Sequence, residues 1–236
     1  MKAPAPRYIG PPRNHGGASN KPIHRIVMHS TVSPCEEGGA RNIAHMFETT
    51  TRDASAHYIV DPGEVIQGLY DSYVGYHAPP NQHSLGVEMC EYPKHTRKSR
   101  WFKDKDHVRM LKRAAKLVAQ LCLAYDVPIQ WVGGKELREG KHGITGHANV
   151  SWAWHETTHW DPGAFPHVEF VEMVQAEADK LQGKPAKEVE SGKPRRRHIR
   201  KLRREVHNNR VRVGKATWLG RALHEVGKKL TKIINH

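Results

Sequence analysis

Along residues 23–182 the apolar positions fall into short runs and longer stripes at helical spacing, which predicts strands interleaved with helices. Ile23-His24-Arg25-Ile26-Val27-Met28 reads as a buried strand closed by His29. Ala56–Val60 and Val65–Leu69 flank Asp61-Pro62-Gly63, the turn chemistry of a hairpin, and Leu85–Cys90 reads as a further strand. Ile43, Met46, Phe47 and Thr50 place a helix over Arg41–Thr51. The clearest helix covers about Asp104–Tyr125, where Val108, Leu111, Ala115, Val118, Cys122 and Tyr125 make one stripe and Arg109, Lys112, Arg113 and Lys116 fall elsewhere. Pro166 then opens a closing helix with Val168, Val171, Val174, Ala178 and Leu181 on its apolar side. Such an alternation predicts an α/β fold, a mixed central β-sheet flanked by helices.

The flanks differ from this core. Residues 1–22 hold Pro4, Pro6, Pro11, Pro12 and Pro22, which disfavour regular structure and predict an extended N-terminal arm. Residues 183–194 lack apolar anchors and read as a linker. From Lys184 onward the chain carries 17 Lys and Arg against 4 Asp and Glu, a net +13 of the whole chain's +14. The run Arg195–Arg204 would bind almost any polyanion. After it, Leu219, Ala222, Leu223, Val226, Leu230, Ile233 and Ile234 recur opposite Arg221, Lys228, Lys229 and Lys232, a basic amphipathic helix. Residues 195–236 are therefore expected to form a cationic helical appendage that meets a membrane surface or an anionic wall polymer, or that docks on the domain. No helix-turn-helix, zinc-finger or RNA-recognition signature accompanies the charge, so no specific nucleic-acid partner is expected.

Three cysteines, Cys35, Cys90 and Cys122, are too few and too odd in number for a secreted disulfide framework. No stretch of about 18 apolar residues occurs, and the first residues lack a signal-peptide core. Synthesis in a cytoplasm without a leader is the expectation.

Among 18 histidines, His29 at a strand end and His147 in Thr145-Gly146-His147 stand out together with Asp161 in Asp161-Pro162-Gly163. Two imidazoles and a carboxylate, with a fourth position open, are what a catalytic zinc needs. These residues, with Ser55-Ala56-His57-Tyr58-Ile59-Val60, Asp61-Pro62-Gly63 and Ser84-Leu85-Gly86-Val87-Glu88 in that order, resemble the zinc-dependent N-acetylmuramoyl-L-alanine amidases of the amidase-2 and peptidoglycan recognition protein family. The resemblance spans about residues 23–182 and implies Zn2+ held by His29, His147 and Asp161. Its water, with a pKa lowered to about 7, would cleave the amide between N-acetylmuramic acid and L-alanine of bacterial peptidoglycan.

The same resemblance implies roles for other residues. Glu88 falls where the family carries an acidic proton-transfer group; the other branch uses a tyrosine, whose position here is Ala56. Strand alternation puts Glu91 on the opposite face from Glu88. His159 stands where a lysine commonly stabilises the oxyanion, and His77 and Tyr58 are expected to line the substrate groove. One departure is that the interval from His147 to Asp161 is longer than in the family, so His155 or His159 competes for the third ligand position. The cationic tail favours a phage endolysin acting at the cell wall; the alternatives are a recycling amidase and a non-catalytic peptidoglycan-binding module.

Overall fold

The computed structural model describes residues 14–93 and 100–184 and the backbone of Arg7–Tyr8. All of these lie in one unit of the chain, Met1–Ala186. The expected linker from residue 185, the basic run and the amphipathic helix lie outside the described residues.

Six strands form one sheet in the order β1-β4-β3-β5-β2-β6: β1 (Arg7–Tyr8), β2 (Arg25–Ser30), β3 (Tyr58–Val60), β4 (Val65–Gln67), β5 (Ser84–Met89) and β6 (Gly143–Gly146). β2 runs parallel to both β5 and β6, β3 runs parallel to β5, and β3–β4 is the antiparallel hairpin that Asp61-Pro62-Gly63 turns. Asp61 fixes this turn, its Oδ1 accepting from the backbone N–H groups of Gly63 and Glu64 at 2.6 and 2.7 Å. The N-terminal arm contributes to the sheet, since Arg7–Tyr8 pairs with Ile66–Gln67 of β4 and Ala18 bridges Tyr73.

Strand alternation divides the core. Ile26 and Met28 join the main cluster beneath α3 (Lys105–Tyr125), whereas Val27 packs on the opposite face with Val132, Leu137, Val150 and Ala153. α3 starts at Asp104, whose side chain accepts from the N–H groups of Asp106 and His107, and it packs against both the sheet and α6 (His167–Leu181). Being covered twice, α3 buries more than one stripe: His107, Met110, Ala114, Leu117, Ala119 and Leu121 are buried as well, and Val108 is only partly buried. In α6 the buried residues are Phe170, Val174 and Ala178, while Val168, expected inside, is 53% exposed. Val174 and Ala178 keep the expected register, with Val171 and Leu181 partly buried against the core; the helix departs from the stripe at its first turn, where Phe170 rather than Val168 is buried. The first helix is α1 (Gly39–Thr49), against β3 and β4, and a four-residue α2 (Arg100–Lys103) precedes α3. Besides α2, the sequence pattern did not predict α4 (Gly134–Arg138), β6 or α5 (His147–Trp154). They are too short for periodicity to mark, yet α5 brings His147 to the groove.

Candidate metal centre and groove

Parallel strands place their last residues at one edge of the sheet, where ligands of open α/β sheets gather. His29 and Glu88 are register partners at the ends of β2 and β5 and so point to the same face. Gly146 ends β6, and the next residue, His147, opens α5. Asp161 arrives from the following loop, held by a backbone bond from Ala148 N to its carbonyl at 2.9 Å. Gly146 permits this approach, because a Cβ there would stand 2.9 Å from Pro162 Cδ.

His29, His147 and Asp161 bring one ligand atom each within 4.8 Å of one another. Asp161 Oδ2 lies 3.1 Å from His29 Nδ1, and its Oδ1 lies 3.3 Å from His147 Nδ1. Burial would raise the Asp161 carboxyl, but the neighbouring His147 and His29 outweigh it and hold it far below the carboxylate range. His159 stacks on His147 with ring centroids 4.4 Å apart, its Nδ1 3.7 Å from Asp161 Oδ1. His155 caps α5 in a left-handed conformation, exposed and beside Trp152. Geometry thus brings together His29, His147 and Asp161, with His159 adjacent and His155 outside.

Hydrogen bonds behind the ligands fix which ring nitrogen faces the centre. Ser84 Oγ donates to the Asn81 carbonyl at 2.7 Å, so it accepts from His77 Nε2 at 3.2 Å. His77 Nδ1 is then an acceptor, and His29 Nε2 donates to it at 3.1 Å. Burial, followed by neighbouring His29, His57 and His147, lowers the His77 pKa well below the ordinary histidine value and keeps it neutral. A lone pair therefore remains on His29 Nδ1, aimed at two carboxylates: Asp161, and Glu88 Oε1 at 4.0 Å. Only a cation between them, a proton or a metal ion, makes that approach favourable. His147 is also supported from behind, its Nε2 3.3 Å from Thr157 Oγ1, which bonds Ser151 Oγ at 2.6 Å. Two imidazoles oriented from behind and one carboxylate fit a zinc site.

A cavity of about 710 Å³ opens over these groups, lined by His29, His77, Glu88, His147, His159 and Asp161 and by Val32, Ile43, Met46, Phe47, Pro93 and Trp160. Glu88 is 14% exposed, and its Oε2 is buried without a hydrogen-bond partner among the described residues. Burial, then the Asp161 charge, pushes its pKa well above the ordinary carboxylate value. Glu91 faces α3, in contact with His107.

Residues 19–164 match the Amidase_2 family, N-acetylmuramoyl-L-alanine amidase. The chain belongs to this family. It is 36% identical over 123 residues to a probable N-acetylmuramoyl-L-alanine amidase of Bacillus licheniformis, a match covering 44% of this chain and 31% of that protein. The chain thus spans about a third of that relative's length. Its fold is similar to Staphylococcus aureus hydrolase AmiA, solved in complex with its ligand, with TM-score 0.61, 18% identity and coverage of 79% of this chain and 89% of that one. It is also similar to a mutant of PlyL, with TM-score 0.52, 19% identity and coverage of 75% and 99%.

One groove expectation changes within this amidase fold. Tyr58 is not in the groove: it is a register partner of Val87, points to the α3 face, and donates to Asp71 Oδ1 at 2.7 Å while fully buried. Tyr125 of α3 donates to the other oxygen of Asp71 at 2.6 Å, so Tyr58 belongs to a core network. His77 does reach the cavity, but both its ring nitrogens are committed to His29 and Ser84. Ser84, Thr157 and Ser151 were not anticipated, since no spacing or composition distinguishes a serine or threonine that supports a ligand from any other.

Proposed function

We propose that this chain is a zinc-dependent N-acetylmuramoyl-L-alanine amidase that hydrolyses the bond between the lactyl group of N-acetylmuramic acid and L-alanine in bacterial peptidoglycan. The observation that carries this reading is the convergence of His29, His147 and Asp161, with Glu88 beside them, in one groove. Bound by these three side chains, zinc would polarise the amide carbonyl and make water nucleophilic near neutral pH.

The chain's own residues supply the rest. Asp161 holds its negative charge, His77 keeps the Nε2 proton of His29 away from the centre, and Thr157 partners His147 Nε2. Glu88, with its raised pKa and unpartnered oxygen, takes the proton of the attacking water and delivers it to the departing amine nitrogen. His159, 63% exposed at the rim, donates a hydrogen bond to the carbonyl oxygen as negative charge builds there. Burial, then His147, lowers its pKa, so it donates as neutral imidazole rather than as a cation. The 17 Lys and Arg from residue 184 onward favour a lytic, endolysin-like role, holding the domain at an anionic envelope.

Metal analysis of the purified protein, with wall hydrolysis assayed before and after chelation, tests the reading. Zinc held at the His29–His147–Asp161 centre, with activity lost on chelation and restored by zinc, is expected. Full activity in a metal-free preparation contradicts it.

A further inference from the structure

A second set of donors meets away from the groove. Cys35 in the loop after β2, Glu91 just beyond β5 and His107 in the first turn of α3 offer a thiol sulfur, a carboxylate oxygen and an imidazole nitrogen, all within 4.8 Å of one another. Glu91 and His107 are each 2% exposed, and Cys35 is partly buried. None has a part in the amide hydrolysis described above.

A buried Glu91–His107 ion pair explains two of these residues but not the third. Among the described residues Cys35 Sγ makes one long hydrogen-bond contact, to Met110 Sδ 3.9 Å away. Burial, then the carboxylates of Glu91, Asp104 and Asp106, push its thiol well above the ordinary cysteine range. A thiol among carboxylates gains nothing from them as a neutral group, whereas a divalent cation turns every one of these neighbours favourable. The imidazole is also set for this. Asp104 Oδ1 lies 3.3 Å from His107 Nδ1, a carboxylate behind the ring, with Nε2 turned toward Glu91. The contact lacks hydrogen-bond geometry, so Asp104 acts on the ring through its charge. Burial lowers the His107 pKa, but Glu91 and Asp104 outweigh it and raise it, so a cation competes with a proton at the ring as well as at the thiol.

We propose that Cys35, Glu91 and His107 form a second divalent-metal site, separate from His29, His147 and Asp161, that takes zinc through thiolate, carboxylate and imidazole. The ion clips the loop after β2 to α3 and the end of β5. Val32, in that loop, lines the groove, so the clip steadies one wall of it. The proposal does not depend on the chain being an amidase.

Cobalt tests it, because a cobalt–thiolate bond gives a near-ultraviolet charge-transfer absorption that the sulfur-free His29–His147–Asp161 set cannot produce. Full-length protein stripped with chelator and titrated with Co2+ should show this band, and zinc analysis should give two equivalents. Cys35→Ser should lose the band and one equivalent while keeping the other. The double variant His29→Ala, His147→Ala retains Cys35 and should keep the band and a single equivalent, which leaves the test decisive even if Cys35→Ser fails to fold. Wild-type protein with one equivalent and no band overturns the proposal. So does a band that survives in Cys35→Ser, or a double variant that binds no metal.

Discussion

Replacing Gly86 with alanine should loosen the metal centre without touching a ligand. Gly86 lies in β5 opposite Val27, and a Cβ built there would stand 2.7 Å from His77 Cγ, 2.9 Å from Nδ1 and 3.0 Å from Cδ2. Carbon contacts settle at about 3.5–4.0 Å, so the ring must retreat by roughly 0.8 Å at its nearest atom. It has little room, because Gly75 on another side would itself place a Cβ 3.3 Å from His77 Cδ2. The strand cannot give way either: Gly86 donates to His57 Nδ1 at 3.0 Å and accepts from His57 N at 3.2 Å. Overpacking of this kind costs about 1–3 kcal/mol. At about 2–4 °C per kcal/mol for a domain of this size, the melting temperature should fall by about 2–12 °C. A displaced His77 also releases the 3.1 Å bond to His29 Nε2, and losing a partner behind a ligand typically weakens metal binding about 10–100-fold. Competition with a chromophoric chelator measures the affinity, and melts in chelator and in zinc measure the stability. Gly140→Ala is the comparison: φ is +82° with no heavy atom near its Cβ, so it should cost backbone strain and leave zinc affinity unchanged. If Gly86→Ala melts and binds zinc like the wild type, the inference that His77 is pinned and orients His29 is wrong.

His29→Ala and His147→Ala should each lose the zinc of this centre, read by metal analysis as the loss of one equivalent; if Asp161→Ala keeps that zinc while His159→Ala loses it, the third ligand is misassigned. Glu88→Gln should keep fold and zinc but lower kcat about a hundredfold or more. Because the Glu88 carboxyl holds its proton to higher pH than the usual carboxylate, at about 4.3, the acid limb of the kcat profile should lie above that value and be lost in Glu88→Gln. Tyr58→Phe removes a buried hydrogen bond to Asp71 and should cost about 0.5–1.5 kcal/mol in denaturant melts with KM unchanged; a raised KM would return Tyr58 to the groove. Truncation after Gly183 should leave cleavage of small soluble muropeptides intact and reduce activity on whole walls, and an unfolded truncation product would show that the cationic segment belongs to the core.

Legibility in the sequence followed the length and regularity of each element. α3 repeats its pattern over 21 residues, and the β3–β4 hairpin carries its own turn chemistry, so both were readable within a residue or two. β6 and α5 span four and eight residues and were invisible to periodicity, though Thr145-Gly146-His147 marked their junction. The site divides along the same line. His29, His147, Asp161 and Glu88 were named from their motifs, and the fold sets all four in one groove. Tyr58 was misplaced because a motif gives residue order and not which face of a strand a side chain takes; register with Val87 decides that. Ser84 and Thr157 had no signal, since their roles depend on loops that return to the ligands only in three dimensions.

Mass analysis of products from purified peptidoglycan tests the central claim most directly. Wild-type protein should release stem peptides with a free L-alanine amino terminus, leaving glycan with free lactyl carboxylates, and His147→Ala should release neither. Intact muramoyl–alanine amides after digestion, or equal release by His147→Ala, would contradict it.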